Sequence, residues 1–148
     1  MNTLTAKFEQ IKWYCKAIDD ADYACYKLYP PANAEDIAKW EADNSARLPE
    51  GFKSWLLLSN GFEMSSAADL LPLENICAYP FEDHRGLYIV GHYIGDGSML
   101  VSDKDGRFFE LDHAFGLKEM TFEQFLDDWI MCCLKDNMLE IEEMNKEQ

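Results

Sequence analysis

The stretch Leu48-Pro49-Glu50-Gly51-Phe52-Lys53-Ser54-Trp55-Leu56-Leu57-Leu58-Ser59-Asn60-Gly61-Phe62-Glu63-Met64 holds a helix start, an apolar helix and a helix stop in direct succession. Pro49 suits the first turn of a helix, because its ring presets φ and its missing N–H would have lacked an intrahelical partner anyway. Phe52, Trp55, Leu56 and Ser59 fall on one face at helical spacing, and Leu57 and Leu58 widen that face until little of the helix is polar. Such a helix is expected to be buried on most sides. Asn60-Gly61 is expected to close it, since Gly accepts the left-handed conformation that ends many helices and Asn tolerates it.

Working outward, Leu4, Phe8, Ile11, Cys15 and Ile18 keep a three-and-four spacing that predicts an amphipathic N-terminal helix. Asp19, Asp20 and Asp22 end or bend it, and the Tyr-rich piece from Tyr23 to Tyr29 reads as its continuation until Pro30-Pro31 forces an extended connection. Asn33 caps a short helix carrying Asp36, Ile37, Trp40 and Glu41. After Met64, Ser65, Ser66 and Asp69 mark a loop, and Leu71 to Cys77 reads as an edge strand because Pro72 cannot donate to a ladder. Leu87 to Ile94, Met99 to Ser102 and Arg107 to Leu111 predict a β-meander, with Gly95-Asp96-Gly97 and Lys104-Asp105-Gly106-Arg107 as its turns. Thr121 and Gln124 form a capping box for a last helix whose apolar face is Phe122, Phe125, Leu126, Trp129, Ile130 and Cys133. The acidic tail 136–148 is expected to fray at its end. Helices first, an antiparallel sheet in the middle and a helix packed on it last make an α+β domain, read as a single unit over 1–148.

The chain resembles the SUKH superfamily, the cell-wall-assembly-regulator-like (Smi/Knr) proteins, on the elements Pro30-Pro31, Glu41, Leu48-Pro49, Asn60-Gly61, Gly95-Asp96-Gly97, Asp105-Gly106 and Thr121-Phe122-Glu123-Gln124-Phe125-Leu126. The resemblance runs from about Pro30 to Leu126, and Phe62 stands where many members have a second Gly. It implies the same layout of helices and sheet. It also implies a protein-binding role, either as an immunity protein that neutralises a cognate bacterial toxin, nucleases being one such class, or as a regulatory scaffold for cell-wall assembly or signalling.

The charge agrees with a protein partner of basic character. Against 13 Lys and Arg stand 28 Asp and Glu, a formal net charge of −15, which repels phosphate backbones and attracts basic surfaces. Direct nucleic-acid binding, which rests on neutralising phosphates, is not expected. The N-terminus has no basic segment followed by an apolar run, and no stretch reaches the roughly eighteen apolar residues of a membrane span, so a soluble cytoplasmic protein is expected. Five cysteines, Cys15, Cys25, Cys77, Cys132 and Cys133, are an odd number scattered through apolar segments and read as reduced thiols.

No catalytic or metal-ligating set emerges, and no cofactor is expected. His84, His92 and His113 lack a recognisable nucleophile partner, and Asp112-His113 are strand neighbours that point to opposite faces. Cys132-Cys133 diverge by about 100° on a helix, which is wrong for zinc. Placing Gly106 at the sixth position of a calcium loop puts Val101 first and Asp112 twelfth, so a hairpin explains those acids better. A hydrolase gathering a His with a Cys or acid in a pocket is the more distant alternative. What remains is a surface: acidic clusters at Asp19, Asp20 and Asp22, at Glu82 and Asp83, at Asp127 and Asp128, and at Glu140, Glu142 and Glu143. The partner-binding residues are expected to be Tyr79, Phe81, Glu82 and Asp83, where aromatic rings adjoin acids, together with Asp19, Asp20 and Asp22.

Overall fold

The computed structural model describes residues 3–64, 68–93, 97–112, 114 and 116–147. The expected Gly95-Asp96 turn, the Ser65-Ser66 loop and His113 lie outside the described residues. Helix α1 (Thr3–Asp20) buries Leu4, Phe8, Ile11, Cys15 and Ile18, the stripe its spacing predicts. It stops where Asp22 takes a left-handed conformation, φ 54°. The Tyr-rich piece then departs from the helical reading and forms strand β1 (Tyr26–Leu28). Helix α2 (Ala34–Asn44) starts as its sequence says, with the Asn33 side chain accepting from the Asp36 N–H at 2.7 Å.

Helix α3 (Glu50–Leu56) begins one residue after Pro49 and ends four residues before Asn60, so it is shorter than its apolar run. Phe52, Trp55 and Leu56 have no exposed surface. Leu58 to Gly61 instead form a corner that delivers the chain into strand β2 (Phe62–Met64). Gly61 sits at φ +108°, and a Cβ there would lie 3.0 Å from the Leu70 carbonyl oxygen, so glycine is required on both counts. Strand β3 (Ala68–Leu70) follows where a loop was expected. Leu71 still donates its N–H to the Val90 carbonyl, but Pro72 then opens a 3₁₀ turn (Leu73–Asn75), so the expected edge strand shrinks to β4 (Cys77–Ala78).

The meander is β5 (Tyr88–Tyr93), β6 (Met99–Ser102) and β7 (Phe108–Asp112), and a further strand, β8 (Gly116–Met120), extends it. The sheet runs β1-β2-β3-β5-β6-β7-β8, with every pair antiparallel and β4 also on β5. Since β6 takes one edge of β5, β3 and β4 share the other in tandem: β3 meets Gly91 to Tyr93 and β4 meets Tyr88 and Ile89. The β6–β7 turn has Asp103 and Arg107 closing a three-residue loop with Gly106 at φ +85°. Asp103 Oδ1 accepts from the N–H groups of Asp105 and Arg107, both at 2.9 Å.

Helix α4 (Phe122–Phe125) carries the full Thr121–Gln124 capping box. It continues through a π-helical turn (Leu126–Met131) into α5 (Cys132–Lys146), so most of the tail is helix. Helices α1, α3, α4 and α5 cover one face of the sheet, where Trp55 is ringed by Phe8, Phe62 and Phe122 at centroid distances of 5.3, 5.6 and 6.2 Å. The fold is α+β. No helix among the described residues is long and apolar enough to cross a membrane.

Two outcomes follow. Trp55→Ala, which empties the centre of the core, should cost about 3 to 5 kcal/mol by chemical denaturation, and a loss under about 1 kcal/mol would mean Trp55 is not central. Burial raises the Asp103 pKa, but the hydrogen bonds from Arg107 and Asp105 outweigh it and hold the carboxyl below its ordinary value. Its stabilising contribution is therefore complete above the unfolded carboxylate pKa of about 4 and is lost as pH falls through the lower folded value. Asp103→Asn should flatten that acid limb in pH-dependent melting.

Candidate protein-interaction surface

Four of the expected partner-binding residues are brought together. After β4 the Tyr79 N–H donates to the Leu87 carbonyl at 2.9 Å, which closes the chain over a 3₁₀ turn (Glu82–His84). The Tyr79 ring meets the Phe81 ring edge-on at 5.5 Å and the His84 ring at 6.0 Å. Tyr79 also packs on a second apolar cluster, Leu87, Ile89, Val101, Phe109 and Leu111, on the sheet face away from the helices. Phe81 is left 61% exposed with Glu82 and Asp83 beside it. The charge of this turn is smaller than its acids suggest, because Glu82 accepts from Arg85 at 2.7 Å.

Asp19, Asp20 and Asp22 are not part of that surface. They lead into Tyr26, which lies level with Met64, Ala68 and Tyr93, whereas the 82–84 turn leads into Tyr88 at the other end of β5. The strand positions they lead into, Tyr26 and Tyr88, are separated by three strand spacings across the sheet and five residues along it, roughly 14 Å by 17 Å. Asp20 is held by Lys16 at 2.8 Å. Of the other acids, Asp127 pairs with Lys7 at 2.8 Å.

One polar pair escaped the sequence reading. Asp69 and His92 stand opposite each other on β3 and β5, and Asp69 Oδ1 takes both the His92 backbone N–H at 2.9 Å and ring Nδ1 at 3.0 Å. No sequence signal marks them, because their meeting depends on a cross-strand register. A carboxylate on Nδ1 fixes an imidazole's tautomer and orientation. Tyr29, on the same side of the sheet, donates to Glu63 at 2.5 Å, which pushes its phenol up to about 12.

The cysteines are all free, and burial pushes the Cys15 thiol up to about 12 and raises Cys133 as well, the reverse of what a thiolate nucleophile needs. Among the described residues no group of three His, Cys, Asp or Glu side chains is placed to hold a metal ion. A cleft of about 220 Å³ lies under β8, walled by Tyr93, Glu110, Lys118, Asp128 and Trp129, and the Trp129 Nε1–H is buried there without a protein acceptor.

The molecule is thus an α+β protein with an exposed aromatic turn set on an eight-stranded sheet. No family model matches the chain. It is similar to the uncharacterized protein YnaB of Bacillus subtilis (strain 168), with 26% identity over 106 residues, 71% of this chain and 69% of the relative.

With every described thiol unpaired, adding reductant should leave the melting temperature unchanged; a large drop would reveal a disulfide.

Proposed function

We propose that this chain is a protein-binding module that captures a basic partner on the Tyr79–His84 turn, in the manner of the SUKH-type immunity proteins its sequence resembles. The partner of that reading is a cognate bacterial toxin domain, with a nuclease as the class whose basic surface suits a chain of net charge −15. The observation that carries the proposal is Phe81, a large ring 61% exposed, flanked by acids and braced from below by Tyr79. Aromatic anchors of this kind dominate interface energy, while charge around them acts mainly on the encounter.

The local ion pair between Glu82 and Arg85 divides these roles further. The long-range attraction comes from the whole acidic surface, and the turn contributes contact. The test is surface-based binding kinetics against the product of the neighbouring gene. Raising salt should slow association and leave dissociation nearly unchanged, since exposed charges are screened beyond about 8 Å at physiological ionic strength. Phe81→Ala should speed dissociation by about tenfold or more with little loss of stability. Replacing Asp83 by Lys should instead slow association. An association rate insensitive to salt, together with a Phe81→Ala variant that binds like the native protein, would overturn the assignment of this surface. Absence of any binding would favour the scaffold role.

A further inference from the structure

The packing of α1 against α5 leaves an apolar groove that the core does not use. It measures about 350 Å³ and is walled by Trp13 and Tyr14 from α1 and by Lys135, Met138, Leu139 and Glu142 from α5. Trp13 lies off the buried stripe of its helix and is 62% exposed, and Leu139 is 58% exposed. The Trp13 ring stands edge-on to Tyr14 at 5.2 Å, so one wall of the groove is aromatic. Trp and Met are residues that interfaces favour, and contiguous apolar surface of this kind marks a contact site.

We propose that this groove is the interface of a two-fold homodimer. The argument lies in the order of residues along α5. Positions 135, 138, 139 and 142 are spaced three, four and seven apart, so they form one stripe along the helix. The stripe reads cation, apolar, apolar, anion. Its midpoint falls between Met138 and Leu139, and Lys135 and Glu142 stand about 10 Å apart along the axis. A two-fold axis through that midpoint lays a second copy's α5 antiparallel to the first. Lys135 of each copy then faces Glu142 of the other, and Met138 and Leu139 meet at the centre. This is the self-complementarity that an isologous contact demands, in which residue i meets j and j meets i. Neither Lys135 nor Glu142 has an ion-pair partner of its own among the described residues.

The surrounding charge differs between the two helices of this face. In a chain of net charge −15, α1 is neutral, with Lys7, Lys12 and Lys16 against Glu9, Asp19 and Asp20. Helix α5 carries Asp136, Glu140, Glu142 and Glu143 against Lys135 and Lys146, so the crossed Lys135–Glu142 pairs and screening by salt have to offset repulsion between the remaining acids of the two copies. The face offered by the two helices is about 27 Å long and 20 Å wide, roughly 500 Å² per copy. That is about 1,000 Å² in all, at the lower end for specific interfaces, so a weak dimer in the micromolar range is expected. The inference is independent of the Tyr79–His84 surface.

Sedimentation velocity over a concentration series into the high-micromolar range, at physiological ionic strength, tests it. The native chain should shift from monomer to dimer. Lys135→Glu and Glu142→Lys should each weaken association by about tenfold or more, since either change places two like-charged pairs in the contact. An equal mixture of the two variants should form a heterodimer at near-native strength, because both crossed pairs are then opposite in charge. Circular dichroism checks that these exposed substitutions leave the fold intact. A native chain that stays monomeric throughout, a dimer indifferent to both reversals, or a mixture no stronger than either variant alone would overturn the proposal.

Discussion

The corner from Ser59 to Gly61 is the constraint on which the rest of the architecture depends. The Gly61 carbonyl accepts from the Ser59 hydroxyl at 2.6 Å and from Trp55 Nε1 at 3.3 Å, so a fully buried ring of α3 is tied to the residue that opens β2. The Asn60 N–H reaches back to the Pro30 carbonyl at 3.0 Å, and its side chain accepts from the Leu73 N–H at 2.8 Å. Ser59 Oγ also accepts from the Tyr29 N–H at 3.0 Å. Three residues thereby satisfy backbone groups from the exit of β1, the end of α3 and the 3₁₀ turn after β3. Left without those partners, each buried polar group would cost about 1 to 3 kcal/mol. The entry to α3 is secured by the same means: Glu41 accepts from the Leu48 N–H at 2.8 Å and lies 3.4 Å from Lys53 Nζ.

Elements whose signals are local were legible in the sequence. The α1 stripe, the Asn33 cap and the Thr121–Gln124 box each depend on residues within a few positions, and each appears as read. Strands β1, β2 and β3 were missed because three residues are too few to show a period of two, and because their pairing joins segments 38 residues apart in the case of Tyr26 and Met64. Strand β8 was missed for another reason: Leu117, Lys118 and Glu119 are all exposed, so an edge strand shows no alternation. Asn60-Gly61 was recognised as a stop but assigned to the wrong partner. It terminates nothing directly; it turns the chain after the helix has ended. The Asp69–His92 pair and the separation of the two acidic clusters belong to register, which no local pattern carries.

The distribution of charge explains how an acidic chain stays folded without a dense network of pairs. Several of the ion pairs are local helix pairs, such as Lys16 with Asp20 and Lys39 with Asp43, which contribute only a few tenths of a kcal/mol each. Stability therefore rests on the apolar layer between helices and sheet, and the surplus of acids remains as a surface field. Self-repulsion from such a field disfavours compactness but is screened over a Debye length. The acids are thus tolerated by the fold while remaining available to an encountering surface.

The outer face of the sheet gives the Tyr79–His84 turn its mechanical character. At one side that face carries Lys27, Glu63, Asp69 and His92; toward β7 it becomes Ile89, Val101, Phe109 and Leu111. Tyr79 lies over the apolar side and is pinned by its N–H to Leu87, so the ring below Phe81 is held by packing and by a backbone hydrogen bond at once. An exposed ring on a fixed base loses less freedom on binding than one on a mobile loop, and that saving appears directly as affinity. The braces are also distinct from the ring they present. Loss of Phe81 would remove an exposed ring and leave its support in place, whereas loss of Tyr79 would release the turn and with it the geometry in which Phe81 and its neighbouring acids are presented together.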